Sequence, residues 1–191
     1  MRSKQTPAAI NTTRSLQANA AHSQGVSVCL QDVAKITGIE PNPAMFQHVR
    51  KRMQDLNIPE EKVDLVAGYL EHLPFDDGSF DAVVCTLVLC SVKSQEQALQ
   101  EMVRVLKPGG AFLFVEHVAA DTAGAKANMQ SCFNPLNSCL GDGCQLIRDT
   151  GAKIAACGLQ DVTLNRMHLK DWMLYLHPMI WGTGRKERAP T

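Results

Sequence analysis

The sequence contains no Cys-x-x-Cys pair. Its seven cysteines stand at 29, 85, 90, 132, 139, 144 and 157, and no histidine is spaced from them as in short zinc-binding motifs. No metal centre is therefore expected. The odd cysteine count, spread through apolar runs, suits reduced thiols inside a cell rather than a disulfide framework. Neither sign of charge prevails, since 19 Lys and Arg balance 19 Asp and Glu. With no long basic run, the footprint of a nucleic-acid partner is missing. No apolar stretch reaches the ~20 residues of a membrane span. The expectation is a soluble, intracellular chain with no transmembrane segment. No internal repeat occurs, and no acidic residue precedes Asp32.

That last absence sets the amino end apart. Residues 1–24 carry Arg2, Lys4 and Arg14 among many Ser, Thr, Ala and Asn. They read either as a disordered tail or as an organelle-targeting segment. Residues 25–191 read as one domain, because 45% hydrophobic content over 191 residues supports one core.

Within that domain strands and helices alternate. Lys35–Ile39 is a β-branched run that stops on Glu40. Pro41-Asn42-Pro43 turns the chain into a helix, with Asn42 placed to cap and Pro43 at the first helical position. Phe46, Val49, Met53 and Leu56 give that helix one apolar face. Lys62–Ala67 is a strand ended by Gly68. Leu73 to Asp81 is rich in turn residues and leads into strand Ala82–Thr86, with Leu87–Val92 continuing apolar. Ser94 caps a helix whose Leu99, Met102, Val103 and Leu106 share a face. Lys107-Pro108-Gly109-Gly110 stops it, with Lys107 at the negative end of the dipole. Ala111–Val118 is a further strand. Thr122–Cys139 reads as a partly helical insertion and Gln145–Cys157 as a helix stopped by Gly158. Val162–Met167 and Met179–Gly184 read as a closing antiparallel edge. Gly25–Leu30 could be a short strand, but Gln31–Ala34 is too short for the crossover of about a dozen residues that parallel neighbours need. The alternation predicts an α/β fold, a doubly wound and mostly parallel sheet with an antiparallel last strand.

A strand that ends on a carboxylate just before a helix suits ribose recognition, since two oxygens can accept from vicinal hydroxyls. A Glu that merely solvates a strand end is the plain alternative. Beyond this, LPFDDGSFDAVVCTLVLCSV and LQEMVRVLKPGGAFLFVEHVAA carry a specific likeness. With the strand ending at Glu40, they resemble the class I S-adenosylmethionine-dependent methyltransferases of the type 11 branch. More specifically, they resemble the methyltransferase-like thiol S-methyltransferases. LGDGCQLIRDTGAKIAACGL and LYLHPMIWGTGRK resemble that group's final helix and last strand. The likeness runs from about Ile36 to Lys186 and implies a Rossmann-like methyltransferase fold.

The resemblance implies S-adenosyl-L-methionine as cofactor and a small-molecule acceptor, a thiol in the closer relatives. It places Glu40 on the ribose hydroxyls and Pro41 and Asn42 beside the adenine. Gly68, Tyr69, Leu70 and Glu71 become the adenine loop. Cys85 and Thr86 would face the methionine portion, and Leu87 the transferred methyl. Two departures stand out. Tyr69 occupies a place where such families usually carry an acid. No E-x-G-x-G-x-G loop exists, so the fold is expected to be truncated at its amino end. A catalytically impaired pseudo-methyltransferase or truncated isoform is therefore the alternative function. A nucleotide-dependent dehydrogenase is disfavoured, as neither G-x-G-x-x-G nor Tyr-x-x-x-Lys occurs.

Glu116-His117 ends a strand, at the edge where α/β sheets bind ligands. His117 is the candidate to accept or orient the acceptor's proton; binding a backbone carbonyl is its plain alternative. Asp142 and Cys144 either line the acceptor pocket or form a Gly-Asp-Gly turn. Cys90 reads as core packing, and Trp172, Tyr175 and Trp181 as edge packing. Nothing in the sequence sets the oligomeric state.

Overall fold

The β-branched and aromatic runs of the sequence become strands. A computed structural model describes residues 8–12, 33–120, 124–167 and 178–188. The strands are β1 (Ala8–Thr12), β2 (Lys35–Glu40), β3 (Val63–Ala67), β4 (Phe80–Thr86), β5 (Leu106–His117), β6 (Gln160–Met167) and β7 (Met179–Arg185). The helices are α1 (Phe46–Asp55), α2 (Gln95–Val105), α3 (Ala125–Leu140) and α4 (Thr150–Ala155). One sheet has the order β3-β2-β1-β4-β5-β7-β6. β2 pairs with β3 and β4 with β5 in parallel, while β7 lies antiparallel to both β5 and β6. The α/β class and the antiparallel edge are as expected, but the sheet is mixed rather than mostly parallel: among the described residues four of its six strand pairings are antiparallel.

The centre of the sheet differs from the expectation. β1, within the segment read as a tail, fills the slot between β2 and β4 and runs antiparallel to both. An antiparallel neighbour needs no crossover helix. The strand read at Gly25–Leu30 lies outside the described residues, as do Trp172 and Tyr175.

The core lies under β4 and β5. Val83 and Cys85 on β4 and Phe112 and Phe114 on β5 are fully or almost fully buried. α2 covers them with Ala98, Leu99, Met102 and Val105. Each such Leu or Met, removed from water, contributes about 2 kcal/mol. The cap foreseen at Ser94 is present, its side chain accepting from the Gln97 amide. Asn42 likewise accepts from the Ala44 amide at the head of a 3-10 turn that feeds α1. α1 buries Met53 and half-buries Phe46, Val49 and Leu56, the predicted face.

α4 begins at Thr150 rather than Gln145, with Asp149 capping through the Ala152 amide. Residues 145–148 are held in other bonds: Leu146 N donates to Asn134 Oδ1, and Arg148 donates to the carbonyls of Leu89 and Val92. At the carboxyl end of α2, Lys107 turns away to Asp81. Lys186, from the far end of the sequence, donates instead to the carbonyls of Arg104 and Leu106. Among the described residues no helix is long and apolar enough to cross a membrane.

Candidate active site

The carboxyl ends of β2 and β3 lie side by side, with that of β4 at the same edge of the sheet on the far side of β1, and a cavity of about 100 Å³ opens there. Ile39 and Pro41 line one wall, Gly68 to Glu71 a second, and Val88 and Ser91 to Lys93 a third. Whole-ligand pockets run from roughly 300 Å³ upward, so this cavity suits one heterocycle rather than an entire cofactor.

Glu40 stands between the lining residues Ile39 and Pro41 and is only 1% exposed. Its Oε1 accepts from the Asn42 amide at 2.8 Å. Its Oε2, also buried, meets no donor among the described residues. Burial raises the carboxyl above its ordinary value, the Asn42 amide pulls it back, and the charge of Asp142 adds to the rise. A buried carboxylate oxygen without a donor is costly, and it is what a hydroxyl-bearing ligand would satisfy.

The other predicted residues divide. Pro41, Gly68, Tyr69, Leu70 and Glu71 share the cavity. Glu71 has a structural duty as well: its Oε1 accepts from the Lys93 amide at 2.7 Å, just before α2. Tyr69 is 59% exposed, with Lys93 Nζ 5.9 Å from its ring centroid. Asn42 is engaged in its cap. Cys85, Thr86 and Leu87 are not in the cavity wall. Cys85 is fully buried and donates its thiol to Glu116 Oε1 at 3.2 Å. Burial, then the Glu116 charge, keeps that thiol well above its usual range. Leu87 adopts a positive φ of 55°, a strained turn that lets the chain leave β4 and bring the Val88 amide onto Glu116 at 2.9 Å.

His117, at the end of β5, belongs to a second group of residues. Its Nδ1 lies 3.6 Å from Cys144 Sγ. Cys90 completes the group, and the three donor atoms lie within 4.8 Å of one another. Cys144 is acidified by its hydrogen bond with Cys90 and by His117, while Cys90 is pushed up by that same bond and by burial. Cys90 is thus more than core packing. Sequence spacing could not show this cluster, because its members come from three separate segments 54 residues of chain apart from first to last; the one available signal was that each sits just beyond a strand or in a Gly-rich turn.

Known proteins bear on these residues. The methyltransferase domain family matches residues 17–114, just over half of the chain. Human thiol S-methyltransferase TMT1A is 38% identical over 154 residues, which cover 80% of this chain and 62% of the relative. Human thiol S-methyltransferase TMT1B is 35% identical over 152 residues, with the same coverage of 80% and 62%. The chain thus spans less than two thirds of the length of these relatives. Among solved structures, the YcgJ protein from Bacillus subtilis superposes with a TM-score of 0.65 at 18% identity, covering 88% of this chain and 90% of that one. Geranyl diphosphate C-methyltransferase from Streptomyces coelicolor A3(2) superposes at 0.64 with 13% identity, covering 86% and 67%. The structural likenesses place the fold among Rossmann-like methyltransferase folds, and the matched span shows that the chain belongs to the methyltransferase domain family.

Proposed function

We propose that the chain binds S-adenosyl-L-methionine at the carboxyl edge of β2 to β4 and methylates a small-molecule thiol. The observation that carries this reading is Glu40, a buried carboxylate with one oxygen lacking a donor among the described residues, which stands in the chain between two residues that line a cavity of heterocycle size, without lining it itself. Glu40 Oε2 would accept from the ribose hydroxyls. Ile39, Pro41 and Leu70 would enclose the adenine, and the exposed Tyr69 ring offers a face for stacking. When bound, the cofactor supplies an electrophilic methyl carbon on a sulfonium, so the protein's task is alignment and exclusion of water. His117 and Cys144 mark the acceptor end, where His117 would orient the acceptor's sulfur. The thiol class follows from the likeness to the human thiol S-methyltransferases.

Titration calorimetry of the full chain with S-adenosylhomocysteine tests this. Binding at or below ~100 µM is expected. Glu40→Gln should weaken it by about ten- to a hundredfold, the worth of a hydrogen bond to a charged group. Absence of heat at millimolar ligand, or an unchanged affinity in Glu40→Gln, overturns the reading.

A further inference from the structure

His117 ends β5, Cys90 lies in the turn that follows the neighbouring β4, and Cys144 reaches them from the turn after α3. Sγ of Cys144 lies 3.6 Å from Nδ1 of His117, and Sγ of Cys90 lies within 4.8 Å of both. Tetrahedral zinc holds sulfur at about 2.3 Å and imidazole nitrogen at about 2.0–2.1 Å, which sets the sulfur–nitrogen edge at about 3.6 Å. The observed edge already has that length.

The backbone at each of the three residues is fixed by a separate bond. The Gln145 amide donates to the Cys90 carbonyl at 2.9 Å. Asn137 Nδ2 donates to the Cys144 carbonyl at 2.8 Å. Thr150 Oγ1 donates to the His117 carbonyl at 3.2 Å. Such supporting bonds hold ligand side chains in place before an ion arrives. Cys90 and Cys144 are buried and His117 is half-buried. Two thiolates cancel the charge of a divalent ion, so the occupied site carries no net charge into the interior.

We propose that Cys90, His117 and Cys144 form a zinc site whose fourth position is open to the sulfur of the methyl acceptor. Structural zinc takes four protein ligands, whereas three leave a place for a reactant. Among the described residues the cluster has three members. The site adjoins the cofactor cavity, because Cys90 Sγ lies 3.6 Å from the Oγ of Ser91, a lining residue. The assignment of the fourth position rests on the thiol-methylation reading above; the zinc site itself does not. On coordination an acceptor thiol releases its proton to water and stays on the ion as thiolate. The acceptor sulfur then gains the methyl carbon, and the electron pair of the broken carbon–sulfur bond remains on the cofactor's sulfur. The resulting thioether is a neutral, weaker ligand and yields its place to the next thiol.

The test uses the full chain, reduced, loaded with zinc and dialysed, without cofactor. About one equivalent of zinc per chain is expected, falling below about a tenth in Cys90→Ser and in Cys144→Ser. Cys139→Ser, on an exposed face of α3, should keep it. Circular dichroism identifies any variant that has lost its fold, and His117→Gln then replaces it, with affinity lowered at least about tenfold. Cobalt in place of zinc should give thiolate charge-transfer absorption, and 2-mercaptoethanol should shift the cobalt bands while its S-methyl ether does not. Zinc-free wild type, zinc content indifferent to both cysteine variants, or a Cys90–Cys144 disulfide that takes no zinc after reduction overturns the site. Unshifted cobalt bands overturn the open position. None of these readouts needs cofactor binding, so their failure is separable from failure of the calorimetry.

Discussion

Glu116 Oε1 accepts from the Val88 amide at 2.9 Å, tying β5 to the turn that leaves β4, while Glu116 Oε2 is buried without a donor among the described residues. Burial is the largest influence on this carboxyl and raises it above its ordinary 4.5, against the pull of the Val88 and Leu89 amides. A carboxyl raised by folding binds its proton more tightly in the folded chain. Its contribution is complete below the unfolded value and is lost as pH rises through the folded one. Glu116→Gln keeps the acceptor for Val88 and removes the charge. The variant should be more stable than wild type at neutral pH by on the order of 1–3 kcal/mol, because the carboxamide brings no charge to be stripped of water in the core. Thermal melts from pH 5 to 8 check this: wild type should lose stability with rising pH more steeply than the variant. Parallel curves would refute it.

Arg104 holds the turn before β4 against α2. It donates to the carbonyls of Leu73 and Phe75 and to the carboxylates of Asp77 and Glu101. Arg104→Ala should cost roughly 2–3 kcal/mol in urea titrations, because two carbonyls and two carboxylates lose their donor. Arg104→Lys should recover less than half, since an ammonium cannot span that fork. The hydrogen bond from Arg104 is the main influence holding Glu101 below its ordinary 4.5, so this pair's contribution is present above 4.5 and fades as pH falls through the lowered value. In Arg104→Ala that acid-side loss should disappear.

Gly182 sits where β6, β7 and β5 come closest. A Cβ there would stand 2.8 Å from the Phe114 ring and would collide with the Thr163 carbonyl. Gly182→Ala should destabilise by about 3 kcal/mol, the upper range for overpacking. At Gly184 the contacts are side-chain atoms of Leu159 and Val162 at 3.1–3.3 Å, which can shift. Gly184→Ala should cost no more than about half as much. Equal melting temperatures for the two variants would contradict this.

Two lysines near the carboxyl end of α2 should behave differently. Lys186→Met removes donors from the Arg104 and Leu106 carbonyls and should cost about 1.5 kcal/mol. Lys107→Met loses only its well-exposed pair with Asp81 and should cost less than about 0.5 kcal/mol. Chemical denaturation of the two variants side by side decides it.

Local chemistry was legible in the sequence wherever one segment settles its own structure. The β-branched run to Glu40, the caps at Asn42 and Ser94, the apolar stripe of α1 and the closing strand pair all follow from neighbours in the chain. What was not legible is what distant segments decide. β1 has no apolar alternation to announce it and is defined by its partners β2 and β4. The start of α4 is displaced because Asn134 and the carbonyls of Leu89 and Val92 engage residues 145–148 first. Lys107 had the right position to cap α2, but Asp81 lies within reach and Lys186 takes the carbonyls. At the site, Glu40 was readable because one strand end presents it. The Cys90, His117 and Cys144 grouping was not, because three segments must meet before it exists.

The location of β7 bears on how the molecule is born. β5 supplies Phe112 and Phe114 to the core, yet one of its two neighbours is encoded by residues 179–185. During synthesis the first five strands leave the ribosome with this flank of β5 uncovered, and α2 lacks the lysine that closes its last turn. The nascent sheet is therefore an open template for any passing strand until translation has passed residue 186. A ribosome stalled before that codon should hold a protease-sensitive, chaperone-bound chain, whereas the released full chain should be a resistant domain.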